Sequence, residues 1–230
     1  MPQRNLDKVY CIIPVFNEEK VILEVIREIQ EAGYKNLIIV DDGSSDGTYA
    51  KIKDVPGVIA LKHPINRGKG AAAKTGMETA KLVEAEVAIT LDGDGQHNPK
   101  DIGKMLDFLE KGNDVVLGTR LKNSEGMPIY KIWANQIGNF CTWFIYGLWV
   151  SDSQSGFRAY SKKALQLIHT QTDRYEYDSE IIREINHHKL KYVEIPIEVR
   201  CTKYSMGKVE KQNLANGVKT LFRMVWSLIS

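Results

Sequence analysis

What this chain can fold into is restricted chiefly by a repeated alternation of short, uninterrupted apolar runs with stretches of helical periodicity. Val9-Tyr10-Cys11-Ile12-Ile13-Pro14-Val15 opens the series, and Leu37–Val40, Val58–Leu61, Val87–Leu91 and Val115–Leu117 continue it. A strand with one wet face alternates apolar and polar residues, so runs without alternation belong to strands buried on both faces. Between the first two runs, Val21, Ile22, Val25, Ile26 and Ile29 trace one helical face that stops at Gly33. Gly70–Leu82 and Pro99–Glu110 read as further helices. Asn17 stands where a helix N-cap is expected, and Pro14, with no N–H to give a ladder, marks the carboxyl end of the first strand. Strands and helices at this spacing form βαβ units. The expected fold is α/β, with a mostly parallel central sheet and helices on both faces.

Sheets of this kind bind ligands beyond the carboxyl ends of their strands. Three runs end in polar clusters at that rim, Pro14–Glu18, Asp41–Ser45 and Asp92–Gln96, and Gly118-Thr119-Arg120 follows the fifth. The most telling cluster is Thr90-Leu91-Asp92-Gly93-Asp94-Gly95-Gln96-His97. In extended backbone residues i and i+2 share a face, so Asp92 and Asp94 can aim at one spot. Two carboxylates there repel unless a cation sits between them. Mg²⁺ and Mn²⁺ take oxygen ligands and use one or two carboxylates together with substrate phosphates. The competing reading is a plain polar turn, since Asp and Gly dominate turns. A calcium loop of the EF-hand type does not fit, because His97 and Gly103 occupy the positions that require Gly and Glu. Gly68-Lys69-Gly70-Ala71-Ala72-Ala73 contains G-x-G-x-x-A, but after the third run rather than the first, and no acid closes the following strand. Small residues that let a helix pack closely, with its N-terminus open to an anion, account for it better.

Length and charge exclude more than they identify. The 230 residues suffice for one core with an appendage. A net charge of +2 gives no reason to expect nucleic acid as a partner. The charge is uneven, however: Arg200, Lys203, Lys208, Lys211, Lys219 and Arg223 stand against Glu210 as the sole acid of that tail. Cys11, Cys141 and Cys201 are far apart, which points to a reducing compartment and no structural zinc. Residues 1–7 do not read as a signal peptide, and no window of 18 consecutive apolar residues marks a complete transmembrane helix.

Taken in order, Val15-Phe16-Asn17-Glu18, Val40-Asp41-Asp42-Gly43-Ser44-Ser45-Asp46-Gly47-Thr48, Asn66-Arg67-Gly68-Lys69-Gly70 and Asp92-Gly93-Asp94-Gly95-Gln96-His97 resemble the inverting family-two glycosyltransferases of GT-A fold. Gly118-Thr119-Arg120, Ser155-Gly156-Phe157-Arg158-Ala159-Tyr160 and Tyr175-Glu176-Tyr177-Asp178-Ser179-Glu180 are similar to the dolichyl-phosphate mannose or glucose synthase branch. The resemblance spans about residues 9–211. It implies that Pro14, Phe16, Glu18, Val40 and Asp42 line a nucleoside pocket. It matches Asp92, Asp94 and Gln96 to the motif that holds the metal and the sugar nucleotide, with Mg²⁺ or Mn²⁺ as cofactor. Arg120, Arg200 and Lys208 match positions that contact donor or acceptor phosphates. The implied reaction moves a hexose, mannose or glucose, from a nucleoside-diphosphate sugar to a polyprenyl (dolichyl) phosphate.

That chemistry agrees with the residue types. A divalent ion and cationic side chains stabilise a departing nucleoside diphosphate, and a phosphate acceptor is already anionic near neutral pH. If the acceptor is instead a hydroxyl of a glycan or lipid, a base is required, and Asp178 or Glu180 is the candidate. A third reading is an inactive nucleotide-sugar-binding module. His97, His187 and His188 read as surface or packing histidines.

Residues 132–150 carry no charge and hold Trp133, Phe140, Trp143, Phe144, Tyr146 and Trp149. They suit a core helix or an apolar approach for a long isoprenoid tail, because Trp and Tyr favour membrane interfaces. Lys131 is a further candidate for the acceptor phosphate. Leu214, Val218, Leu221, Phe222, Val225 and Ile229 share a helical face with Lys211, Lys219 and Arg223 beside it. Such a helix packs on its own domain or lies on an anionic membrane surface. The domains expected are therefore a catalytic unit over 1–210 and an amphipathic helix over 211–230. Residues 200–210 are expected to close over the donor as a lid that delivers Lys208. The expected location is cytoplasmic, peripheral on the membrane's cytoplasmic face.

Overall fold

The structure is a computed structural model that describes residues 5–120, 139, 143–144, 146–174 and 176–200. The first half is a strict alternation. It runs β1 (Val9–Val15), α1 (Ile22–Glu31), β2 (Asn36–Asp41), α2 (Thr48–Ile52), β3 (Val58–Lys62), α3 (Lys69–Leu82) and β4 (Val87–Thr90). Then come α4 (Asp101–Glu110) and β5 (Val115–Thr119). The chain continues with β6 (Arg158–Ser161), α5 (Lys162–Leu167), α6 (Glu176–His187) and β7 (Tyr192–Pro196).

These strands form one seven-stranded sheet of order β3-β2-β1-β4-β6-β5-β7. The β1–β2, β1–β4, β2–β3 and β5–β7 pairs are parallel. β6 alone runs the other way, antiparallel to both β4 and β5. The carboxyl ends of β1, β2, β4 and β5 therefore meet at one rim with the amino end of β6.

In β1, β2, β4 and β5 the uninterrupted apolar runs follow from burial on both faces. Contrary to expectation, β3, at the edge of the sheet, is only partly buried. Along β1, Val9, Cys11, Ile13 and Val15 enter one core layer with Ile22, Ile26 and Ile29 of α1 and Ile102 and Met105 of α4. Ile12 points the other way, into a layer shared with Ala72, Ala73 and Met77 of α3 and Ile181 and Ile182 of α6. β2 divides likewise, with Leu37 and Ile39 on one side and Ile38 and Val40 on the other. This is the two-residue side-chain period of a strand in a sheet covered by helices. The closest approach is made by α3, where a Cβ on Gly76 would lie 2.3 Å from Ile12 Cγ2. Within the glycine-rich motif itself, Ala72 and Ala73 enter that layer and a Cβ on Gly70 would lie 2.7 Å from Tyr177 Cβ, so these small residues serve helix packing.

Two local expectations change. Asn17 caps no helix: α1 begins at Ile22 and its N-cap position is Val21, without a side-chain cap. Asn17 instead adopts φ 55°, and its side-chain oxygen accepts the Ser45 N–H at 2.9 Å. Asn tolerates that left-handed conformation better than most residues, and here it ties the end of β1 to the loop after β2. Pro14 falls inside β1, in register with Val40, with Val15 completing the strand. Strands β6 and β7 come in addition to the five that the apolar runs announce. The proposed helix over 211–230, the lid with Lys208, and Lys131 all fall outside the described residues.

Candidate active site

The acidic stretch leaves β4 directly. Thr90 Oγ1 donates to the Gly156 carbonyl at 2.7 Å, fixing the strand end against the segment before β6. Gly93 packs on β1, where a Cβ would meet Val15 Cγ1 at 2.6 Å. Asp94 Oδ1 then accepts the Gln96 N–H at 3.0 Å and closes a tight turn. His97 reaches back into that turn. The Asp92 N–H donates to His97 Nδ1 at 3.2 Å, and the imidazole stacks on Phe157 with ring centroids 4.9 Å apart. Burial pushes the His97 pKa down to about 4, so the ring is neutral at neutral pH. With Nδ1 accepting, its proton belongs on Nε2, which lies 3.7 Å from Asp92 Oδ2. His97 is a packing histidine, as the sequence suggests, and it also faces the first acid of the motif.

Two cations converge on the same point. Lys69, the first residue of α3, places Nζ 2.6 Å from Asp92 Oδ1 and 3.9 Å from Asp178 Oδ2. Arg158 is buried at the start of β6, and its Nη2 donates to the carbonyls of Ser153 at 2.7 Å and Asp178 at 3.0 Å. The same nitrogen lies 3.4 Å from Asp178 Oδ1. Asp178, near the start of α6, is thus a buried carboxylate held by two cations. Gly156 closes the group, since a Cβ there would lie 2.6 Å from Lys69 Nζ and 2.7 Å from Asp92 Oδ1.

This arrangement separates the two acids of the motif. Burial by itself would raise Asp92, but the Lys69 ammonium outweighs it and holds Asp92 well below the usual carboxylate range. Burial also opposes the charge of Lys69, and Asp92 and Asp178 outweigh it, so the ammonium is held more firmly than an ordinary lysine. Burial, then the Asp92 charge, pushes the Asp94 pKa up to about 6. A carboxyl raised by a neighbouring carboxylate is what a divalent cation between the two relieves. The pair therefore fits Mg²⁺ or Mn²⁺ with further oxygens supplied by substrate phosphates.

The remaining rim residues are held more tightly than the sequence suggests. Arg120 grips Asp152 side-on, Nε to Oδ2 at 2.7 Å and Nη2 to Oδ1 at 2.8 Å. The backbone N–H of Arg120 also donates to Asp152 Oδ2, at 3.1 Å. The Arg200 N–H donates to the Gln96 carbonyl at 2.9 Å, but its guanidinium points to Glu28 Oε2 at 2.7 Å and Asn98 Oδ1 at 2.8 Å. Among the expected nucleoside contacts, Phe16 is exposed, Pro14 partly buried and Glu18 buried. Val40 faces the core. Buried Asp42 accepts the N–H groups of Arg67 at 3.0 Å and Gly68 at 2.7 Å, with His63 Nδ1 at 2.7 Å from Oδ1. Its carboxylate thereby fixes the loop that leads into Lys69.

The structure brings together Asp92, Asp94, Gln96 and Asp178, with the charge of Arg120 also felt at Asp92. It adds Lys69, Gly156, Arg158, Asp152 and His97, none of which has a separate role at the site on sequence grounds. Lys69, Gly156 and Arg158 lie inside recognised motifs, and nothing local says that the motifs touch.

The model of the family described as glycosyl transferase family 2 matches residues 10–168. The UDP-N-acetylglucosamine–dolichyl-phosphate N-acetylglucosaminyltransferase of Methanococcus voltae is 38% identical, over 94% of this chain and 94% of its own length. The polyprenol monophosphomannose synthase of Mycolicibacterium smegmatis is 24% identical, over 92% of this chain and 84% of its own. Among solved structures, glucosyl-3-phosphoglycerate synthase from Mycobacterium tuberculosis, in complex with Mn²⁺, UDP and glucosyl-3-phosphoglycerate, superposes with a TM-score of 0.68. At 17% identity, covering 96% of this chain and 78% of that one, it shows a shared fold.

Proposed function

We propose that this chain, which belongs to glycosyl transferase family 2, transfers a sugar from a nucleoside-diphosphate donor to the phosphate of a polyprenyl or dolichyl lipid, with inversion at the anomeric carbon. The observation that carries this reading is the state of the carboxylates near the site. A hydroxyl acceptor needs a base. Asp178 is held between Lys69 and Arg158, and Glu180 is committed elsewhere. Its Oε2 accepts the N–H groups of Gln171 and Thr172 at 3.0 and 2.9 Å, and its Oε1 pairs with Arg183 at 2.7 Å. A lipid phosphate arrives as its own nucleophile, so no proton need be removed.

In this scheme Asp92 and Asp94 hold the divalent ion, which when bound neutralises charge on the departing diphosphate. Lys69 and Arg120 add fixed positive charge around the same oxygens. Asp152 holds Arg120 side-on and leaves the Nη1 edge of the guanidinium for an anion. The bond from the anomeric carbon to the diphosphate oxygen breaks as the acceptor oxygen attacks from the opposite side. The name of the relative at 38% identity puts UDP-N-acetylglucosamine first among donors to try, followed by UDP-glucose and GDP-mannose. We place the enzyme peripherally at the cytoplasmic face of a membrane. Phe144 and Trp149 are exposed, and Trp143 and Trp149 meet edge to face at 6.2 Å, an aromatic surface of the kind that favours bilayer interfaces.

The test compares a polyprenyl phosphate with the corresponding free polyprenol under the same donor and Mn²⁺. Glycosylation of the phosphate alone is the expected result. Equal use of the alcohol would return the role of base to Asp178 or Glu180.

A further inference from the structure

Lys69 stands where a metal's charge is wanted. Its Nζ is 2.6 Å from the first acid of the motif, and Asp178, 3.9 Å away on α6, holds it from behind. The slot that admits this contact is built by three separate segments. Asp42 binds the N–H groups of Arg67 and Gly68, immediately before the lysine. Gly68 takes φ 115°, a backbone that glycine adopts at least cost, and a Cβ there would lie 2.5 Å from the Asp173 carbonyl oxygen. Gly156 leaves the space in which ammonium and carboxylate touch. An ordinary surface ion pair needs none of this.

We propose that Lys69 is an internal counter-ion that competes with the divalent metal for Asp92, so that metal and nucleoside diphosphate bind productively only together. In the ligand-free chain the ammonium neutralises Asp92 and lowers its affinity for a free ion. When a diphosphate arrives with the metal, Asp92 turns to the metal, and the ammonium, still tethered by Asp178, turns to the diphosphate oxygens. The lysine exchanges one anionic partner for another, and its charge is never left unpaired. The device makes each ligand raise the affinity for the other by one shared factor, as linkage requires. This inference rests on the metal-dependent reading of the acidic pair.

The test measures Mn²⁺ binding to the intact chain by electron paramagnetic resonance, without nucleotide and with UDP or GDP, and needs no turnover. Wild type is expected to bind Mn²⁺ weakly alone and far more tightly with one of the nucleotides. Lys69→Met is expected to bind Mn²⁺ alone at least about tenfold more tightly than wild type, as removal of one charge-assisted hydrogen bond to the ligand implies. It is also expected to lose most of the enhancement by nucleotide. Gly156→Ala, whose methyl group intrudes between the two partners while both charges remain, is expected to shift both quantities the same way by less. That second variant keeps the test informative should Lys69→Met fail to fold. Unchanged Mn²⁺ affinity in the variants, beside clear enhancement by nucleotide in wild type, would overturn the competition and leave the metal reading intact. Absence of Mn²⁺ binding to wild type under every condition would overturn both.

Discussion

Asp92 and Asp94 leave the same strand end two residues apart, yet one is held ionised by Lys69 and the other is pushed up to about 6. The raised carboxyl has a consequence for stability. A carboxyl whose folded pKa exceeds its unfolded value favours the folded chain when protonated, and that contribution fades as pH rises from about 4 through about 6. Asp94→Asn is therefore expected to gain stability relative to wild type across that window. Denaturant melts of the metal-free proteins at pH 4.5 and 7.5 measure it, and a constant difference between them would exclude the raised value. A second residue prediction concerns Asp152, buried beneath the Arg120 guanidinium. Asp152→Ala leaves a partly buried cation without its carboxylate and is expected to cost about 3 kcal/mol in chemical denaturation. It should also raise the KM for the donor, whose diphosphate Arg120 serves in the proposed scheme, more than that for the lipid phosphate. Among single residues the sequence shows the motif acids, because two carboxylates on one strand end are a local pattern. It conceals the grip of Asp152 on Arg120, the return of His97 to Asp92, and the diversion of Arg200 to Glu28, since each depends on segments that only the folded sheet brings together.

Among the elements, α3 shows most directly how composition sets geometry. Ala72, Ala73, Gly76 and Ala80 form its buried face, and Gly76 sits against Ile12 of the central strand β1. Gly76→Val is expected to lift the helix from the sheet and destabilise the protein by about 1–3 kcal/mol, the usual cost of overpacking. Because Lys69 is the first residue of that helix, loss of activity should exceed the fraction of protein unfolded, which parallel melts and assays separate. The first five strands are legible because short apolar runs rich in β-branched residues and bounded by turn residues are too short for helices. β3 is found by the same signal although, at the sheet edge, it is only partly buried. β6 is not. It is four residues long and opens with Arg158, a residue that burial excludes unless partners wait for it, and those partners are carbonyls from the Ser153 and Asp178 segments. β7 reads Tyr-Val-Glu-Ile-Pro, too mixed to announce a strand. Its pairing with β5 comes from topology.

Across the whole molecule, one antiparallel strand inserted between β4 and β5 carries the Gly156–Arg158 segment to the rim where the parallel strands end. The fold thereby gathers acids from β4, a lysine from α3 and an acid from α6 at one site. The α/β class and the family are legible from ordered motifs; of the site, the residue types are legible and their charge arrangement is not. No helix among the described residues is long and apolar enough to cross a membrane. Phe144→Glu together with Trp149→Glu is expected to weaken co-sedimentation with anionic vesicles severalfold while donor binding persists. Unchanged sedimentation would remove that surface from the proposed mechanism. The transfer reaction itself is tested by release of nucleoside diphosphate with Mn²⁺ from UDP-N-acetylglucosamine, UDP-glucose and GDP-mannose, each with and without polyprenyl phosphate. Rapid release is expected from one donor, only when the lipid phosphate is present, with the sugar recovered on the lipid. Release that ignores the lipid phosphate, or none from any of the three donors with it, would refute transfer to a lipid phosphate.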